Sequence, residues 1–77
     1  MELQEFIEGF AEQFEDTDAS EITAVTNFSG LDEWDSLMLL TIIAWVKTAF
    51  NKSINANDIR SCNTVSDLYE LVKNKSV

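Results

Sequence analysis

Ser36 stands between Asp35 and Leu37 in the stretch EWDSLMLL, and its hydroxyl is the first group from which chemistry could start. A serine nucleophile needs a base to take its proton. The chain contains no histidine, which excludes a Ser-His-Asp arrangement. Lys47 could serve in principle, but a lone helical lysine is ordinarily solvated. The Asp and Glu residues offer no pair with a reason to differ in pKa, as paired acid-base catalysis requires. Gly9 and Gly30 are the two glycines, so no phosphate-cradling loop exists. The segment DTDASEITAVTN begins like a calcium loop at Asp16, Asp18 and Ser20. It then has Glu21 where the turn needs glycine and Asn27 where a bidentate glutamate is needed. Cys62 is a single thiol with no imidazole to join it, which leaves no zinc ligand set and no internal disulfide. We expect no metal site and no enzymatic activity from these residues.

The elements that position Ser36 are helical. Leu3, Phe6, Ile7, Phe10 and Phe14 have helical spacing over about Glu2 to Glu15, with acids on the other face. A long connection follows, roughly Asp16 to Asp35, with turn-rich DTDAS and NFSG. Ile22, Val25, Phe28 and Leu31 are expected to pin it to the core. A loop this long in so small a domain is often functional. Asp35 is suited to cap a second helix, Ser36 to Phe50, because its carboxylate accepts free amide protons of the first turn. A short helix near Asn57 to Ser61 is weakly signalled. Thr64 starts a last helix, with Asp67 three residues on in a capping-box-like pair, and Val65, Leu68, Tyr69 and Val72 as its apolar stripe. The 77 residues fit one domain, 1–77, held by packing alone. The fold class is all-α.

The second helix is oily nearly all round. At about 100° per residue from Leu37, residues Leu39, Ile42, Ile43, Val46 and Phe50 cluster between roughly 140° and 240°. That is a core face. Leu37, Met38, Thr41, Ala44, Trp45 and Thr48 gather on the opposite side, and Ser36 and Leu40 lie on the flank. So small a domain can hardly bury both faces, so we read the second as a contact surface led by Leu37, Met38 and Trp45. The competing reading is that the loop, carrying Trp34 or Phe28, folds over part of it.

The net charge is −9, which repels a nucleic-acid backbone. From Met1 to Asp35 there are eleven acids and no Lys or Arg; from Ser36 on there are three acids and five bases. This asymmetry fits a solvated first helix or a surface that meets partners electrostatically. No stretch is long enough to span a bilayer. The start, MELQEFIEGF, is acidic where a secretory signal needs positive charge, so we expect a cytoplasmic location.

Asp35, Ser36 and Leu37, in a small acidic helical chain, resemble the acyl carrier protein family. The likeness covers most of the chain: an amphipathic helix, a long loop, the Asp-Ser-Leu helix, then INANDI and TVSDLYELV, which look like the short third and closing fourth helices of carriers. The resemblance implies a small four-helix bundle with a long loop between helices one and two. It implies that Ser36 carries 4′-phosphopantetheine, taken from coenzyme A by a phosphopantetheinyl transferase, and that the arm's thiol holds acyl groups as thioesters. Partner enzymes for loading, condensation or acyl transfer would supply the active sites, and the carrier would visit them as a monomer. A helix N-terminus also favours a phosphate there.

On this resemblance, Asp35 and Leu37 would meet the transferase. Met38, Thr41 and Trp45 join them as partner-recognition candidates. Leu40, Ile43, Val46, Ile54, Ile59 and Val65 are candidates to line a space for the attached chain, or are plain core. Cys62 is either a small buried residue or a partner for the arm's thiol in a disulfide. One departure is informative. Fatty-acid carriers have several acids along the second helix, and here none lies between Ser36 and Lys52. That implies a dedicated carrier of a fatty-acid-like or polyketide pathway, recognised by shape and apolar contact. An aminoacyl or peptidyl carrier uses the same serine with other cargo. An acidic interaction protein, such as a DNA mimic, is the reading from a different class.

Overall fold

Four helices and two 3-10 turns run in the order α1 (Leu3–Glu12), the turns Ala19–Glu21 and Phe28–Gly30, α2 (Ser36–Phe50), α3 (Ala56–Arg60) and α4 (Val65–Asn74). The computed structural model describes residues 2–75. Met1, Ser76 and Val77, which the expected domain includes, lie outside the described residues. The architecture is the expected all-α one of four helices, with the long loop between the first and second and a short third. Among the described residues no helix is long and apolar enough to cross a membrane.

α1 stops at Glu12, three residues before the expected end at Glu15. The Gln13 and Phe14 amides donate to Phe10 and Ala11, a tightened i to i−3 pattern, and the Gln13 side chain donates to the Gly9 carbonyl at 3.0 Å. Phe14 still reaches the core from this turn. The Glu15 and Asp16 amides then leave the helix for the carboxylate of Glu33, at 2.8 and 3.0 Å.

α2 spans the expected residues. Its first turn is capped by Asp35, whose Oδ1 accepts the Met38 amide at 2.8 Å. Its end is Asn51 in the left-handed region at φ 56°, a conformation that asparagine tolerates better than most residues. The expected split of α2 into a core face and a contact face is corrected. The buried arc runs from Trp45 through Met38, Ile42, Val46 and Leu39 to Ile43, roughly 80° to 240° on the helical wheel. Packing on two sides makes it wide. α1 brings its aromatics against Trp45, while α3 packs on α2.

α3 begins one residue before its expected start, because Asn55 and Asp58 form a reciprocal capping box. α4 is capped as expected. Thr64 Oγ1 accepts the Asp67 amide, and Asp67 reaches the amides of both Asn63 and Thr64 at 3.1 Å. The shorter Asp thus completes the box. The two remaining amides of that turn are taken by the long loop: Val65 donates to Thr26 and Ser66 to Ala24, at 3.1 and 2.9 Å. Among the loop residues expected to pin it, Ile22 and Phe28 are buried and Leu31 is half-buried, but Val25 is 81% exposed. It sits between Ala24 and Thr26, whose carbonyls are committed to α4, and contributes nothing to the core.

Among the described residues no charged or strongly polar residue is buried. All eight aromatic residues join one network. Phe6, Trp45, Phe50 and Tyr69 form one half and Phe14, Phe28 and Trp34 the other, joined through Phe10. This network holds α1, the loop and α2 together. Far along the bundle, Lys75 pairs with Asp58 at 3.1 Å and so ties the end of α4 to α3.

Candidate functional site

Ser36 is the first residue of α2 and is exposed. Its hydroxyl has no hydrogen-bond partner among the described residues, so no base is poised to activate it. The amide of Met38 is taken by the Asp35 carboxylate and that of Leu39 by the Asp35 carbonyl. The amides of Ser36 and Leu37 have no partner among the described residues and stand at the positive end of a fifteen-residue helix. An exposed hydroxyl beside free helix-terminal amides fits a phosphate ester.

Three residues fix this helix start. Asp35 caps it. Trp34 packs its ring on Phe28 and Phe14, with centroids 5.0 and 6.3 Å away, which explains an indole directly before the cap. Glu33 accepts the Glu15 and Asp16 amides and the Thr17 hydroxyl, the last at 2.8 Å, and so fastens the loop's end to its beginning. Desolvation pushes the Glu33 carboxyl upward, but these donors outweigh it and hold its pKa below the ordinary value. Glu33 is therefore engaged within the chain rather than held out as a partner-facing acid. Sequence spacing carries no signal for a contact sixteen to eighteen residues away.

The other candidates separate. Leu37 and Leu40 are 69% and 60% exposed beside Ser36. Asp35 is exposed, and Thr41 is half-buried with its hydroxyl donating to the Leu37 carbonyl at 2.9 Å. Met38 is corrected as an open recognition residue, whereas Trp45 is half-buried and lines a surface groove with α1. Met38 is buried in the core, and Trp45 lies against Phe6, Phe10 and Phe50. Both lie on the wide buried arc, and Trp45 faces the aromatics of α1. Of the chain-lining candidates, Val46, Ile54, Ile59 and Val65 are buried together in the core and Ile43 is half-buried against it. Leu40 is the correction in this set: it faces solvent on the Ser36 flank. One surface groove adjoins the serine, lined by Asp35, Leu37, Met38 and Thr41 with Gln13 and Glu33, and two others are lined by loop acids and by α1 with Trp45.

Cys62 is buried, with its thiol donating to the Asp58 carbonyl at 3.4 Å. Burial pushes its pKa up, so little thiolate exists at neutral pH. That placement matches the small buried residue.

A family model described as a phosphopantetheine attachment site matches residues 4–72. No curated protein and no solved structure matches the chain.

Proposed function

From the premise that this chain belongs to the phosphopantetheine-attachment family, the domain of acyl carrier proteins, we propose that Ser36 is its attachment residue. Domains of this family carry a covalently attached 4′-phosphopantetheine and interact with phosphopantetheinyl transferases and partner enzymes. The single observation that carries the assignment is Ser36 itself: an unpartnered, exposed hydroxyl at the capped start of α2, with two open amides beside it. When attached, the group supplies a thiol that carries acyl cargo as a thioester. The chain's own residues hold the attachment point rigid and exposed. Asp35 orders the first turn, Glu33 and Trp34 fix the approach, and Leu37 and Leu40 offer apolar contact to visiting enzymes. No residue of the site is arranged for catalysis, so the partners do the chemistry.

We infer further a dedicated carrier of a fatty-acid-like or polyketide pathway, working as a cytoplasmic monomer. The exposed leucines and the absence of acids between Ser36 and Lys52 support recognition of its enzymes by apolar contact. The test is intact mass after incubation with coenzyme A, magnesium and a promiscuous transferase. A gain of one phosphopantetheine by the parent and none by Ser36→Ala is the expected result. No gain by folded parent with several transferases would overturn the assignment. Efficient use of the loaded protein by a general fatty-acid ketosynthase, with Leu37→Glu harmless to every partner, would overturn the dedicated role.

A further inference from the structure

We propose that the groove between α1 and α2, floored by Trp45 and Phe50 and rimmed by Glu5, Glu8 and Glu12, docks an arginine side chain presented by a partner protein.

The groove has a volume of about 340 Å³ and is completed by Gly9 and Ala49. Its rim follows from helical spacing, since residues 5, 8 and 12 fall on one face of α1. All three glutamates are exposed, and no Lys or Arg of the described residues bridges any of them. Glu8 receives one neutral hydrogen bond, from Gln4 at 3.2 Å. The floor is what an ordinary solvated helix face lacks. The indole of Trp45 is half-buried and its N–H has no hydrogen-bond partner among the described residues. Gly9 lets α1 close on one side of the ring, for a Cβ there would come within 2.7 Å of Trp45 Cζ2, and the part of the indole left accessible lines the groove.

The occupant follows from charge and shape. Three uncompensated carboxylates around an aromatic face select a cation. A planar, weakly hydrated guanidinium stacks on an indole while its N–H groups reach carboxylates. A lysine would supply charge without the stacked plane, and a neutral apolar side chain would leave the rim unanswered.

The position of the groove gives it a role separate from Ser36. Trp45 is nine residues beyond Ser36, about 180° around α2 and about 13 Å along it. A partner seated there leaves the serine and the exposed Leu37 and Leu40 free for a second protein. This holds whatever Ser36 carries, and it adds a charge-dependent contact to the apolar surface beside the serine.

The experiment is an amide and indole NMR titration with a short blocked helical peptide carrying one arginine, beside its citrulline counterpart. Saturable shifts at the Gly9 and Ala49 amides and the Trp45 indole are expected, with Ser36 unmoved. The citrulline peptide should bind about fivefold more weakly or worse. Replacing the rim together, Glu5→Gln, Glu8→Gln and Glu12→Gln, should weaken binding about tenfold. These exposed sites leave the fold intact, which the rest of the spectrum reports. Trp45→Leu should cost a further severalfold if it folds, and the glutamine variant decides the matter if it does not. Equal binding of the two peptides would overturn the proposal. So would shifts centred on Asp16 and Asp32, insensitivity to the triple substitution, or a second copy of this chain filling the groove in sedimentation experiments. Mass gain at Ser36 is read separately, so either proposal can fail alone.

Discussion

Gly9 and Trp45 show how much one hydrogen can decide. A glycine inside an exposed helix ordinarily costs about 1 kcal/mol against alanine. Gly9→Ala should therefore stabilise α1 if the helix stood alone. Here the new methyl meets the Trp45 ring at 2.7 Å, and that ring is braced by Phe6, Phe10 and Phe50. Overpacking of this kind costs about 1–3 kcal/mol, so a net loss is expected. Urea denaturation of Gly9→Ala checks the sign, and repeating the substitution in a Trp45→Leu background should turn the loss into a gain. Glu33 is the second residue of this type. Glu33→Gln should loosen the loop and raise amide exchange at Glu15 and Asp16 while leaving α4 protected. Uniform acceleration across the protein would contradict that local role.

Among the elements, α4 is the most completely specified. Its stripe of Val65, Leu68, Tyr69 and Val72 is buried as read, and its capping box forms as read. Thr64→Ala is expected to cost about 1 kcal/mol in urea unfolding, since it removes the acceptor of the Asp67 amide. Less legible was the source of the first two acceptors. Ala24 and Thr26 lie in a loop with no period, and backbone carbonyls leave no mark on residue type. The same reasoning explains the split assigned to α2. A helical wheel gives angles but not what stands opposite them. Met38 and Trp45 are apolar residues on a second face, where Met38 is buried and α1 packs on Trp45 and half-covers it. Leu37 and Leu40 remain uncovered, so the contact surface survives in reduced form and shifts toward Ser36.

At the scale of the molecule, charge and pH govern stability. The net charge of −9 makes the compact state repel itself, and its acids crowd before Ser36. Added salt at neutral pH should therefore raise the urea midpoint until screening is complete. Acid acts in the other direction. Glu33 is held below its ordinary pKa by its amide and hydroxyl donors against desolvation. Asp58 is lowered by the Asn55 amide and further by Lys75, and Asp67 by the amides of Thr64 and Asn63. A depressed carboxyl stabilises the fold above its unfolded pKa and loses that contribution as pH falls through the folded value. Stability should hold from neutral pH down to the ordinary carboxylate range and then drop below it. Glu33→Gln should flatten that drop in midpoints measured at high salt, where repulsion no longer competes.

Read alone, the sequence determined the helical class, the bounds of α2, both caps that matter, the exposed serine and the absence of histidine. Each of these is a local matter: a periodic stripe, a carboxylate three residues from an amide, or a residue type absent from the chain. Tertiary structure alone decided which side of α2 is open, that Glu33 clasps the loop while Val25 hangs free, and that an aromatic groove lies opposite Ser36. Those outcomes depend on groups far apart in sequence meeting at a few ångströms. Residue order restricts such meetings but does not state them, because packing chooses among faces that the helical period leaves equally apolar.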